Sequence, residues 1–226
     1  MAGHPADHPG PLVFVDDLES PELTSDDQHH LQRVLRLRAG APMTLGDGRG
    51  RWRPARFADA PEPTGPLELV PAAIPALAVG FALVKGDKPE LVVQKLTELG
   101  IDRIQPFRAA RSVVRWDDAR AAKALARLRL VARSAAAQSH RPWLPEITPI
   151  MDLAELLGPL AAGLAVADRG GAPVGPQHTT VLVGPEGGWA DDELGEHIPR
   201  VSLGPHVLRA ETAAIVAGAL LADRRG

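Results

Sequence analysis

Val181-Leu182-Val183-Gly184-Pro185-Glu186-Gly187-Gly188 is an apolar run that empties into a glycine-rich loop, with Asp191, Asp192 and Glu193 placed to open a helix behind it. A short, continuously apolar strand is the kind buried on both faces of a parallel sheet. Sheets of that class bind ligands beyond the carboxyl ends of their strands. Ser202-Leu203-Gly204-Pro205-His206-Val207-Leu208-Arg209 repeats the arrangement, a strand end followed by a glycine turn and then a helical stretch.

Working outward, residues from about 77 onward alternate strand and helix, which points to a mainly parallel sheet with helices packed on its faces. Strands are expected at Val79–Val84, Ile101–Pro106, Leu164–Ala167, Thr180–Val183 and Val201–Leu203, and helices at Pro89–Leu99, Asp118–Gln138 and Arg209–Asp223. Residues 1–72 read differently, as short strands at Leu12–Val15, Met43–Leu45, Arg51–Phe57 and Leu67–Val70 punctuated by glycine and proline. Between the first two, Ser25-Asp26-Asp27-Gln28 is a helix start, followed by His30, Leu31, Val34 and Leu35 at helical spacing and closed by Gly40. The expected organisation is a small barrel with one helix at 1–72, a linker at Pro71–Pro75, and an α/β domain at 76–226.

The 226 residues contain no cysteine, which excludes disulfide frameworks, cysteine zinc sites and thiolate nucleophiles together. No segment reaches the roughly 20 apolar residues needed to span a bilayer, and the start carries no signal-like pattern, so a cytoplasmic protein with no membrane partner is expected. The net charge of -3 hides two basic blocks. Gln28–Arg56 holds seven arginines against Asp47, and Arg103–Arg141 holds ten Lys/Arg against Asp117 and Asp118. Arginine binds phosphate in a bidentate fork and stacks on bases. Three tryptophans lie beside these arginines, Trp52, Trp116 (next to Arg115) and Trp143, a mixture suited to single-stranded or looped RNA. Compositional bias and tryptophans in the core are the alternative.

The two glycine loops narrow the ligand. A phosphate cradle wants a basic residue, whereas the first loop holds Glu186 and is followed by three acids, so a nucleoside triphosphate is disfavoured. Gly46-Asp47-Gly48-Arg49-Gly50 has neither the spacing nor the strand-to-helix setting of a dinucleotide site. Main-chain groups of two facing loops suit a nucleoside-like ligand such as S-adenosylmethionine; a tight turn with no ligand is the alternative. His29 and His30 point in different directions on a helix and lack a third ligand, so no metal is expected.

Gly184–Gly188 and Leu203-Gly204-Pro205-His206-Val207-Leu208-Arg209-Ala210-Glu211-Thr212-Ala213 resemble the two signature loops of the RsmE family, RNA methyltransferases of the SPOUT class. His29-His30-Leu31-Gln32-Arg33-Val34-Leu35-Arg36, Glu98-Leu99-Gly100 with Arg111-Ser112, and Ala135–Arg141 leading to Leu144-Pro145 match in family order. The resemblance implies methylation of N3 of one uridine in 16S ribosomal RNA of the small subunit, with S-adenosyl-L-methionine as donor. It implies a PUA-like β-barrel, a trefoil-knotted α/β domain, and a homodimer with active sites at the subunit interface. Knots are otherwise nearly absent from proteins.

Carried over by position, Val183, Gly184, Pro185, Glu186, Gly187 and Gly188 form one wall of the cofactor site, Leu203, Gly204, Val207 and Leu208 the other, with Glu211 beside them. Arg209 is the candidate catalytic residue, stabilising the uracil anion or anchoring substrate phosphate, because a cation near developing negative charge lowers the barrier; the alternative is a salt bridge to Glu211 or a helix cap. Candidate RNA contacts are Arg33, Arg36, Arg51, Arg111, Gln138 and Arg141. The chain departs from the family in lacking an arginine-rich start before Leu12 and in carrying Ala210 where threonine is commoner. A non-catalytic RNA-binding or ribosome-assembly module, and a SPOUT methyltransferase acting on another RNA, are the rival functions.

Overall fold

The computed structural model describes residues 3–112, 114, 116–157, 162–195 and 197–225; Arg115 lies outside them. The chain divides into two compact units, Met1–Ala72 with Arg133–Leu144, and Ala73–Ala132 with Pro145–Gly226.

The first unit carries β1 (Leu12–Phe14), α1 (Ser25–His29, continuing as a π-turn over His30–Val34), β2 (Pro42–Gly46), β3 (Arg51–Arg56), β4 (Glu62–Pro63) and β5 (Glu68–Leu69). β1 pairs parallel with β2, β2 pairs antiparallel with β3, and β3 pairs antiparallel with both β4 and β5. Gly46–Gly50 is the β2–β3 turn: Asp47 Oδ1 accepts from the N–H of Arg49 (2.7 Å) and of Arg51 (3.1 Å). The helix is capped by Thr24 rather than Ser25. Thr24 Oγ1 accepts from Asp27 N–H at 3.1 Å, and either neighbouring hydroxyl is chemically fit to cap.

β1 is apolar at every position because both of its faces are covered. Val13 and Val15 join Leu31, Met43, Leu45, Ala55 and Phe57, whereas Leu12 and Phe14 pack on Ala136, Ala137 and Leu144. The period-two alternation of a strand sends neighbours to opposite sides. Residues 133–144, expected in the second domain, therefore complete the first unit. Arg133 donates to the carbonyl of Phe14 at 2.6 Å and pairs with Asp27 at 3.3 Å.

The second unit contains β6 (Ala78–Ala82), α2 (Lys88–Glu98), β7 (Arg103–Arg108), the larger part of α3 (Asp118–Gln138), β8 (Glu146–Ile147), β9 (Met151–Asp152), α4 (Leu153–Leu156), β10 (Leu164–Pro173), β11 (Thr180–Val183), β12 (Arg200–Ser202) and α5 (Ala210–Arg225). Its sheet runs β12-β10-β11-β6-β7-β8, with β9 also on β7, and every pairing is parallel. On one face Val79, Phe81, Ile104, Val181 and Val201 pack against Val92, Val93 and Leu96 of α2 and Ala214, Ala217 and Leu221 of α5. On the other, Ala82, Phe107, Val166 and Leu182 meet Leu153, Leu194 and Ile198. Burying both faces is what the continuous apolar strands require.

Two expectations change. Among the described residues no helix follows Asp191–Glu193, which form a turn; Glu193 accepts from the N–H groups of Ala190 (3.0 Å) and Ala110, and its own N–H bonds the Ala190 carbonyl. β10 also runs past Ala167 to Pro173 across a bulge that shifts its register on β12 between Ala167 and Ala172. Among the described residues no helix is long and apolar enough to cross a membrane.

Candidate functional site

β10 lies between β11 and β12, so the loops that leave those two strands at their carboxyl ends flank it. A cavity of about 420 Å³ opens there. Its wall on the β11 side is Val183, Gly184, Pro185, Glu186, Gly188 and Trp189, and on the β12 side Leu203, Gly204, His206, Val207 and Leu208. Ala167, Asp168 and Arg169 of β10, Arg200 of β12, and Ala210 and Ala213 of α5 complete it.

Local chemistry explains the shape. Val183 ends in a turn in which Gly188 N–H bonds the Pro185 carbonyl at 2.9 Å. Gly204 has φ +140, where a side chain would strain the backbone, and Ser202 Oγ accepts its N–H at 3.4 Å. The cavity's charged side chains are Asp168, Arg169, Glu186 and Arg200; most of the remaining wall is glycine, proline and apolar side chains.

The cavity unites nine of the eleven positions put forward for cofactor contact. Gly187 and Glu211 are not among them. Gly187 turns its carbonyl to Arg111, whose Nη1 donates to it at 3.3 Å, so it faces the outer side of the loop. Glu211 pairs instead with Lys88 of α2 at 3.1 Å, and this replaces the salt bridge to Arg209 weighed above. Burial pushes the Glu211 carboxyl upward, but its own backbone N–H, the Lys88 ammonium and the Arg209 charge together hold it below the ordinary value. Arg209 is exposed; Leu208 and Ala210 on either side of it line the cavity, whereas Arg209 does not. Its carbonyl accepts from Ala213 N–H at 2.8 Å, so it also caps α5 through its main chain.

The candidate RNA contacts are divided between the two units. Arg33, Arg36, Arg51, Gln138 and Arg141 belong to the first unit and Arg111 to the second. Arg33, Arg36 and Gln138 are exposed and Arg141 is half-buried. Arg51 is exposed but held by Asp47 at 2.7 Å. Trp52 is 0% exposed, a core residue of the first unit and no stacking platform. Trp143 is half-buried and donates to the Val70 carbonyl at 2.8 Å; Trp116 lies under Arg120.

Sequence reasoning passed over Trp189 and the β10 residues. Trp189 Nε1 donates to the Ala167 carbonyl at 3.0 Å, and its ring stacks on Phe107 at 6.2 Å between centroids, which fixes the indole as a rigid wall. Its position directly after Gly188 was the available signal. Asp168 pairs closely with Arg200. Burial pushes the Asp168 carboxyl upward, but hydrogen bonds from Arg200 and the Gly170 N–H, with the guanidinium charge, together hold it below the ordinary value.

Comparison with known proteins agrees in both units. The family described as RNA methyltransferase domain matches residues 72–222, and that described as RNA methyltransferase PUA domain matches residues 23–64. The chain is 37% identical to ribosomal RNA small subunit methyltransferase E of Mycobacterium bovis over 91% of its own length and 88% of the relative's. It is 33% identical to the Synechocystis protein of the same name, over 86% and 70%. Among solved structures, ribosomal RNA small subunit methyltransferase E of Neisseria gonorrhoeae bound to S-adenosyl methionine superposes with a TM-score of 0.73 at 28% identity, covering 93% of this chain and 96% of that one. A Legionella pneumophila protein in complex with the cofactor SAM superposes with a TM-score of 0.84 at 26% identity, covering 94% and 97%.

Proposed function

Because the chain belongs to the ribosomal RNA small subunit methyltransferase E family, we propose that it transfers a methyl group from S-adenosylmethionine to N3 of a uridine in 16S ribosomal RNA. The observation that carries this reading is that the loops after β11 and β12 line one cavity of about 420 Å³ at the carboxyl edge of a parallel sheet. The donor set fits the group. Main chain at Gly184, Gly188 and Gly204 and apolar surface from Val183, Trp189, Leu203 and Leu208 suit a purine and a ribose.

When bound, S-adenosylmethionine supplies an electrophilic methyl group on a sulfonium. The chain's own contribution is orientation and the exclusion of water, which supply much of the acceleration in a displacement of this kind. The uridine imide must lose its N3 proton to solvent, which leaves negative charge on N3 and the uracil carbonyls; methyl transfer to N3 then neutralises it, and the donor leaves as the thioether S-adenosylhomocysteine. Arg209 stands between two residues of the cavity wall, and its own exposed side chain is not part of that wall, which supports a role toward substrate. In this reading it stabilises that charge or anchors the adjoining phosphate.

The same proposal includes a trefoil-knotted path through the C-terminal strands, a homodimer, a cytoplasmic location, and 16S ribosomal RNA or the small subunit as partner. Exposed Arg33, Arg36 and Gln138, with Arg111 and Arg141, are the proposed RNA contacts. The test is incubation of the protein with small subunits lacking the modification and labelled donor, followed by nucleoside mapping. Label in 3-methyluridine at one position supports the reading; RNA without label, or label on another base, overturns it.

A further inference from the structure

One charged pair in the cavity has no part in the mechanism above. Asp168 sits at the bulge where β10 shifts register on β12, Arg200 opens β12, and the two side chains pair within the cavity wall. We infer that this pair recognises the zwitterionic amino-acid end of the cofactor, Arg200 taking the α-carboxylate and Asp168 the α-ammonium. This deepens the proposed function and rests on it.

Three observations support it. First, both groups keep free bonding capacity and access. The Asp168 and Arg200 side chains are 30% and 47% exposed, Arg200 engages Asp168 through Nη1, and Gly170 N–H gives Asp168 Oδ1 a long bond of 3.3 Å. A guanidinium offers five donors in a fixed fork, so Nε and Nη2 suit a second carboxylate.

Second, the ligand that uses both charges is one that carries both. A ribose diol can hydrogen-bond to either group but answers neither charge, whereas an α-amino acid offers an anion and a cation a few bonds apart. The lowered proton affinity of Asp168 keeps it an acceptor at neutral pH.

Third, the pair is a poor structural clamp. An ion pair this exposed contributes little to stability, and β10 and β12 are already joined by a parallel backbone ladder on both sides of the bulge.

Titration calorimetry of the full chain with two ligands tests the inference: S-adenosylmethionine, and 5′-methylthioadenosine, which has the nucleoside and thioether but no amino-acid tail. Arg200→Gln and Asp168→Asn should each weaken S-adenosylmethionine about tenfold or more, the scale of a lost charge-assisted hydrogen bond, and leave methylthioadenosine within about twofold. Arg200→Lys should recover part of the loss. Equal weakening of both ligands assigns the pair to the ribose or to the scaffold and overturns the inference, as does unchanged affinity for S-adenosylmethionine. Failure of the unsubstituted protein to bind S-adenosylmethionine overturns the proposed function itself. Melting each variant without ligand separates misfolding from lost recognition.

Discussion

Lys88 Nζ lies 3.1 Å from Glu211 Oε1, an ion pair that ties the first turn of α2 to the first turn of α5. The Glu211 side chain is 12% exposed, and its other carboxylate oxygen is buried without a hydrogen-bond partner among the described residues. A carboxyl held below its ordinary value in the folded state stabilises the fold above the unfolded-state value and loses that contribution as pH falls through the folded one. Glu211→Gln should therefore cost roughly 0.5–1 kcal/mol at pH 7. The gap to the unsubstituted protein should close below about pH 4, the ordinary carboxylate range. Urea unfolding at both pH values measures this; a gap that widens in acid contradicts the ion pair.

Arg209→Ala should lower single-turnover methylation by about 100-fold or more, the scale of removing one group that stabilises developing charge. Its affinity for S-adenosylmethionine should stay nearly unchanged, because Arg209 stands outside the cavity wall. Equal turnover in variant and parent, or a loss confined to cofactor binding, contradicts the role assigned to it.

Trp189 separates two functions of one side chain. Trp189→Phe keeps the stack on Phe107 and loses the bond to the Ala167 carbonyl, so it should cost about 1 kcal/mol of stability with modest loss of cofactor affinity. Trp189→Ala removes the wall and should cost about 3 kcal/mol or more together with most of the affinity. Thermal melts with and without S-adenosylmethionine read both effects.

Gly171 sits in the β10 bulge, where an added Cβ would lie 2.5 Å from the backbone carbon of Arg200 and from the nitrogen of Val201. Main chain cannot step aside as a side-chain tip can. Gly171→Ala should push β12 away from β10 and destabilise the protein by about 1–3 kcal/mol, the usual cost of overpacking. It should also weaken S-adenosylmethionine, since Asp168 and Arg200 flank the displaced backbone. Calorimetry on the variant, with the melt as control, checks the order of these effects.

Much of this architecture was legible because local rules coincide with the global fold. Apolar runs mark β6, β10 and β11, β7 (Arg103–Arg108) lies two residues on from the expected Ile101–Pro106, and Pro89 and Gly100 bracket α2. The two glycine loops were readable as a site from their places after strands. Their separation by β10 was not, since strand order depends on crossovers that no local pattern encodes. For that reason Asp168, distant in sequence from either glycine motif, and Arg200, just before the second, went unremarked as a pair. Gly187 is absent from the cavity wall for a different reason: successive residues of a turn point in different directions, so a contiguous motif need not share one surface. Thr24 and Ser25 were chemically equivalent caps, and only the chain's path chose between them.

Leu12 and Phe14 are covered by Ala136, Ala137 and Leu144, so the first unit is finished by a stretch made long after its strands. During translation the nascent barrel therefore waits, one side of β1 uncovered, until residue 144 has left the ribosome, at roughly 5–20 residues per second. A gene cut at the linker would deliver that same unfinished piece permanently, an apolar strand face with nothing to cover it.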